Sequence, residues 1–200
     1  MKKAITITLA IFFSLGFGYA HSGDTINVPT GTSPTIDGFL SAGEWSDAST
    51  VQIPSINATI YFKRTETHLY VAFSDWNGMY FHSTGIYIDQ LHDGGTAPKA
   101  DDLWLHGSAG QFEWYGNDTV WQSSTPSGWS YIDSLVNEYE IPLSKLGITS
   151  NTNTTLGVLF SYWDWSNGFE ETWPSGGYPN CSNPESWANM NISFLPEMIE

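Results

Sequence analysis

Two residue classes in this 200-residue chain can carry chemistry: acids gathered around one strand end, and indoles, of which there are 10. The acids lie in Asp89-Gln90-Leu91-His92-Asp93-Gly94-Gly95, followed by Asp101 and Asp102. Carboxylate oxygens converging from a strand end and a Gly-rich loop suit a hard cation, with glycine supplying the tight backbone turn. Asp89, Asp93, Asp101 and Asp102 are the expected ligands, and calcium the expected ion. The spacing is not that of an EF-hand loop, and the competing reading is a solvated acidic loop whose aspartates make turn hydrogen bonds.

The indoles suggest a second chemistry. An indole face stacks on the apolar face of a pyranose ring while neighbouring amides and carboxylates satisfy the hydroxyls. Trp76, Tyr80, Trp165 and Trp173 lie in loop-like, polar surroundings and are the expected stacking surfaces, with Asn77, Asp164 and Asn167 for the hydroxyls. Tryptophans within strand-like runs, such as Trp104, Trp114 and Trp129, are assigned to the core, because large aromatics are buried on average.

Other chemistries are excluded. The chain has no GxSxG, HExxH, P-loop or dinucleotide fingerprint, and one Cys with scattered His forms no nucleophile constellation. The acid pairs Asp101-Asp102 and Glu170-Glu171 are adjacent, and neighbours on a strand point to opposite faces, so neither pair spans a scissile bond. The expectation is therefore a non-catalytic protein. A formal net charge of -15 repels phosphate backbones and anionic lipid, which leaves neutral ligands and cations as partners and excludes nucleic acid.

The elements that must position these residues read as strands and turns. Ala58 to Lys63 and His68 to Ser74 are β-branched and aromatic runs joined by a charged turn, a hairpin signature. Leu69, Val71 and Phe73 share one face of the second run, and Tyr70, Ala72 and Ser74 the other. Similar runs at Gly85 to Asp89, Leu103 to His106, Gln111 to Tyr115, Thr119 to Gln122, Trp129 to Leu135, Glu138 to Ile141, Leu156 to Trp163 and Asn189 to Phe194 bring the number to about ten strands. Short strands separated by Gly, Asn, Ser and Pro predict an all-β antiparallel β-sandwich, jelly-roll or immunoglobulin-like, over residues 35–195. One helical turn is expected near Leu143 to Leu146. Residues 21–34 read as a linker or an edge segment.

Lys2 and Lys3 precede an apolar run from Ala4 to Phe17 and the small residues Gly18-Tyr19-Ala20, the pattern of a signal peptide over residues 1–20. Export to the extracellular space or cell surface is expected, with no membrane span in the mature chain. Cys181 is the only cysteine, so no intramolecular disulfide is available. Sequons at Asn57, Asn117, Asn153, Asn180 and Asn191 would carry glycans in a host that glycosylates exported chains.

Pro34-Thr35-Ile36-Asp37-Gly38, followed by Gly43-Glu44-Trp45 and Ala48, resembles the opening of family 9 carbohydrate-binding modules and the wider DOMON-like sandwiches. Later blocks keep the order: Leu69 to Asp75, a GIYID strand ending at Asp89, the Asp101-Asp102 loop, Glu138 to Ile148, Leu156 to Asp164, and Trp187 to Ile192. The resemblance implies a secreted β-sandwich, bound calcium in many members, and a saccharide held between two aromatic side chains. The matching places fall in Met79-Tyr80-Phe81-His82-Ser83 and near Cys181, with Tyr80 and Trp173 as stand-ins. The leading expectation is a non-catalytic domain binding a poly- or oligosaccharide. A self-associating structural or adhesive surface protein is the alternative. Haem-binding relatives would add a more remote one, with Met79, His82 or His92 as axial ligands.

Overall fold

The structure is a computed structural model that describes residues 21–74, 82–149, 152–164, 168–176 and 178–194. It contains thirteen strands and no α-helix among those residues: β1 (Thr25–Val28), β2 (Ser49–Ile53), β3 (Ala58–Arg64), β4 (His68–Ser74), β5 (His82–Asp89), β6 (Asp102–Gly107), β7 (Gln111–Gly116), β8 (Trp121–Ser124), β9 (Ser130–Ile132), β10 (Asn137–Pro142), β11 (Thr154–Asp164), β12 (Phe169–Trp173) and β13 (Ala188–Ile192). The larger sheet runs β1-β13-β11-β5-β6-β7-β8, with β12 also paired to β11, and the smaller runs β2-β3-β4-β10-β9. All pairings within these sheets are antiparallel except β1 with β13. The expected β-sandwich is thus the observed architecture.

The period-two alternation of the strands builds the core between the sheets. Leu69, Val71 and Phe73 of β4 meet Ile86 and Ile88 of β5, Leu103 and Leu105 of β6, and Val158 and Phe160 of β11 in one buried cluster. The predicted 58–74 hairpin forms as β3 and β4, and the helical turn as the 3₁₀ turn Leu143–Leu146. Within the 21–34 segment, Thr25–Val28 form an edge strand added in parallel to β13, and Thr30 makes an isolated parallel bridge with Arg64.

The Pro34–Ala48 motif serves architecture. It lies over the outer face of the smaller sheet, where Trp45, Tyr70, Ala72 and Val136 form a second buried cluster. Glu138 pins it, accepting the Asp37 and Gly38 N–H groups at 2.9 and 2.7 Å and the Trp45 Nε1–H at 3.2 Å. Gly38 has φ +83° and a hypothetical Cβ there would lie 2.3 Å from Ser134 Cβ, so both backbone and space require glycine. Lys63, fully buried, donates to Asp47 Oδ1 at 2.8 Å and sits 5.2 Å above the Trp45 ring. A buried ammonium needs this full set of partners, because desolvation without them is costly.

Candidate saccharide face and acidic site

The inner and outer faces of the larger sheet carry different residues. On the outer face the paired residues of β5 and β6 change character step by step: Gly85 opposite His106, then Tyr87 opposite Trp104, then Asp89 opposite Asp102. The same face therefore presents a glycine–histidine pair, an aromatic layer and an acid cluster in succession along the strands.

The aromatic layer is sealed in its upper part. Tyr87, Leu159, Cys181 and Trp187 form a buried cluster, with Trp104 and Trp121 packed against it. The 3₁₀ turns Tyr178–Ser182 and Pro184–Ser186 cover it. Trp187 donates Nε1–H to Asn180 O at 2.7 Å and Trp121 donates to Cys181 O at 3.2 Å, so both indole donors are satisfied by the covering segment. Burial pushes the Cys181 thiol well above its ordinary pKa, and its S–H donates to Glu170 Oε1 at 3.1 Å.

Across β5, β6 and β7 the rings form a ladder. Trp104 lies between Tyr87 (4.9 Å, 14°) and Trp114 (4.1 Å, 21°) on the flanking strands, so both of its faces are occupied. Trp114 ends the ladder. Its other side looks toward β8, where its register partner Ser123 is exposed and small, with Phe112 stacked alongside at 6.0 Å. Phe112 is 46% exposed, among the few large apolar side chains at the surface.

Below the ladder, Gly85 makes room for the side chains of its neighbours. A hypothetical Cβ at Gly85 would lie 2.6 Å from Ser161 Oγ and 2.9 Å from Trp104 Nε1, so glycine keeps these polar atoms facing the same small space. Ser83 Oγ and His106 Nε2 share a hydrogen bond of 2.5 Å, while His106 Nδ1 and Trp104 Nε1 are buried with no partner among the described residues. Burial alone lowers the His106 pKa to about 4, so the ring is neutral at pH 7 and able to accept or donate. Half-buried Trp163 and Glu170, register partners on β11 and β12, lie on the same face, and burial raises the Glu170 carboxyl. Unpaired buried polar atoms cost about 1–3 kcal/mol each.

At the other end of the same face stand the acids. Asp89, Asp101 and Asp102 place one carboxylate oxygen each within 4.8 Å of one another. Asp89 accepts the N–H groups of Asp93 and Gly94 at 3.3 and 2.7 Å and faces His21 Nε2 at 3.2 Å. Burial works against its charge, but these bonds outweigh it and hold its carboxyl below the usual range. Asp101 accepts Leu91 N–H and Asp102 accepts Lys99 N–H with Oδ2. Asp102 Oδ1 is buried with no partner among the described residues, and burial, then the neighbouring carboxylates, push Asp102 up to about 8. A fully buried carboxylate beside two others fits a hard cation and fits poorly without one. Asp93 stands apart from the trio, its carboxylate paired with Lys99 Nζ at 2.8 Å. Asp101 precedes β6 in a turn, and that is why it shares a side with Asp102 although the two are adjacent.

Of the sequence-derived saccharide residues, Trp76, Asn77, Tyr80, Trp165 and Asn167 lie outside the described residues, as does Met79. Asp164 closes β11 opposite His82, and their side chains are likewise outside the description. Trp173 does not join the outer face: it pairs with Phe160, its ring 6.1 Å away, and packs against the inner core. His92 stacks on His21 at 4.1 Å and shares a 2.7 Å hydrogen bond with Asn189 Oδ1. Trp104 and Trp114 correct the sequence-based assignment of strand indoles to the core. The signal was present in Leu103-Trp104-Leu105-His106, where the alternation puts both leucines on the inner face and the aromatics on the other.

No family model and no curated protein matches the sequence. Among solved structures, a family 9 carbohydrate-binding module from Caldicellulosiruptor kristjanssonii in complex with glucose superimposes with a TM-score of 0.61 at 19% identity, covering 88% of this chain and 100% of that one. The chain has the fold of a family 9 carbohydrate-binding module. A second family 9 structure from the same organism, in complex with cellotriose, gives a TM-score of 0.59 at 18% identity over 88% of this chain and 97% of that one. The likeness in fold thus extends over 88% of the chain.

Proposed function

We propose that this protein is an exported, non-catalytic module that binds a poly- or oligosaccharide on the outer face of its larger sheet and holds calcium at Asp89, Asp101 and Asp102. The carrying observation is the outer-face ring ladder, which ends at half-buried Trp114 beside Phe112, 46% exposed, and opposite the exposed Ser123 of β8. A pyranose stacked on this edge would bring hydroxyls toward Ser123. Solved structures of the same fold hold glucose and cellotriose, which supports a saccharide as the ligand. The apolar N-terminal run supports export, and no helix of the described residues is long and apolar enough to cross a membrane.

The fold leaves the ion a structural task. Calcium would neutralise three carboxylates at the rear of the aromatic layer and fix the 89–102 loop, which is tied to the covering segment by Glu185 N–H to Gly95 O at 3.0 Å. No catalytic step is assigned to these residues. Affinity electrophoresis through gels containing neutral glucans, xylans and mannans tests the proposal: retardation by at least one, lost in Trp114→Ala, is expected. Equal mobility in every gel would overturn it.

A further inference from the structure

We propose that calcium binding and docking of the N-terminal segment are coupled, with His21 as the positioning residue that links them by holding Asp89. The inference rests on the calcium reading above and adds what the ion controls.

The leader pattern ends at Ala20, so His21 would open the mature chain. Chain starts are commonly loose unless something ties them down. The His21 side chain is instead fully buried, with Nε2 3.2 Å from Oδ2 of Asp89, itself fully buried. Its ring stacks on His92 at 4.1 Å and packs against Gly157, where a hypothetical Cβ would come within 2.4 Å of His21 Cε1 and 2.9 Å of Asp89 Cβ. Glycine at 157 thus leaves the space that the ring and the carboxylate occupy together. The contact is not a completed hydrogen bond: both ring nitrogens, and Asp102 Oδ1 in the acid cluster, are buried without one among the described residues. Buried polar atoms are normally satisfied, so the cluster is built for a further partner. A cation would give Asp102 Oδ1 that partner, and an Asp89 fixed by the ion is a fixed acceptor for His21 Nε2–H.

The residues after His21 are stitched to the same place. Ser22 N–H donates to Trp187 O at 2.8 Å and Asn189 N–H to Asp24 O at 2.8 Å, while Asn189 Nδ2 donates to Ser22 O at 3.1 Å. The same Asn189 shares its Oδ1 with His92 Nε2 at 2.7 Å, so it joins the loop after Asp89 to the N-terminal segment. Thr25–Val28 then continue as β1 beside β13. Without an ion, Asp89, Asp101 and Asp102 repel one another, and relief of that repulsion moves the carboxylate that His21 faces. Coupling of this kind is reciprocal: whatever factor docking adds to calcium affinity, calcium adds to docking.

The experiment reads docking by amide hydrogen exchange of residues 22–28 in the unaltered, processed protein, and affinity by isothermal titration with calcium. With chelator these amides should exchange before those of β4, and calcium should slow them at least about fivefold. This reading does not depend on any variant folding. His21→Ala should weaken calcium binding about tenfold, and His21→Gln, which keeps an N–H donor, should recover most of the loss. A ring that only fills space would lower the melting temperature equally with and without calcium and leave the calcium Kd unchanged, a result that would overturn the positioning role. Calcium binding with unaltered exchange at residues 22–28 would overturn the coupling and leave the calcium reading standing. No calcium binding by the unaltered protein at millimolar concentration would overturn the calcium reading itself, and this inference with it.

Discussion

The two halves of the larger sheet's outer face are built from the same residue types and differ in what lies over them. In one half Trp187 and Tyr87 are covered by the 178–186 turns, and the indole donors of Trp187 and Trp121 are bonded to that segment. In the other, Trp114 has one side toward solvent-exposed Ser123, and Trp104 Nε1 and His106 Nδ1 have no partner among the described residues. Aromatic content is thus not evidence of a ligand site. The difference lies in whether the polar atoms of the rings are already satisfied.

If the covered half is structural, Trp187→Ala carries the largest effect. A fully buried indole removed from a sealed cluster should cost roughly 3–5 kcal/mol, read by denaturant unfolding. A loss under about 1 kcal/mol would erase the distinction between the halves.

Calcium acts at the end of the covered half. At saturating calcium, about 100 times its Kd, the stabilisation should be roughly 2.7 kcal/mol, lost on chelation and absent in Asp102→Asn. Without calcium the sign of the pH dependence is set by Asp102. Its folded carboxyl stays protonated up to about 8, whereas the unfolded one ionises near 3.8, so stability falls as pH rises between those values, with a slope of at most about 1.4 kcal/mol per pH unit. Thermal melts with a chelator across that window should show this fall, and calcium should reverse it. An unchanged melting temperature with and without chelator would remove the ion from the account.

Crowding the outer face at Gly85 is a smaller perturbation. Gly85→Ala would place a methyl within 2.9 Å of Trp104 Nε1 and 2.6 Å of Ser161 Oγ, which should cost about 1–3 kcal/mol in denaturant unfolding. Wild-type stability would show that this part of the face is not close-packed. The smallest effect on stability belongs to Trp114→Ala, expected at or below about 1 kcal/mol, because the ring is half-buried at the end of the ladder, opposite exposed Ser123. Its effect on binding should be the reverse, a complete loss by affinity electrophoresis.

Much of the fold was legible because its central strands carry long β-branched and aromatic runs. Ala58–Arg64, His68–Ser74 and Thr154–Asp164 are unmistakable by composition, and their alternation identified the inner face of β4 correctly. The strands that escaped were β2 and β12. Ser49–Ile53 is short and half polar, and Phe169–Trp173 contains two glutamates, so neither shows a clean period of two. Their strand character comes from pairing with β3 and β11, a tertiary effect that propensity does not encode.

The candidate sites divided along a similar line. Asp89, Asp101 and Asp102 were legible because they lie close in sequence and the β5–β6 pairing needs only a short connection to join them. Trp104, His106 and Trp114 were not, because they come from β6 and β7, and only the sheet order places them on one face. The outer layer of Tyr87, Leu159 and Trp187 under the 178–186 turns also blurs the inner and outer sides, since it looks as apolar as a core.

The saccharide face is tested most directly by isothermal titration of the calcium-loaded protein with a neutral β-1,4-linked oligosaccharide, run in parallel on Trp114→Ala and Trp187→Phe. The account predicts measurable binding to the unaltered protein and to Trp187→Phe, and none to Trp114→Ala with its melting temperature nearly unchanged. Undiminished binding by a folded Trp114→Ala would contradict it.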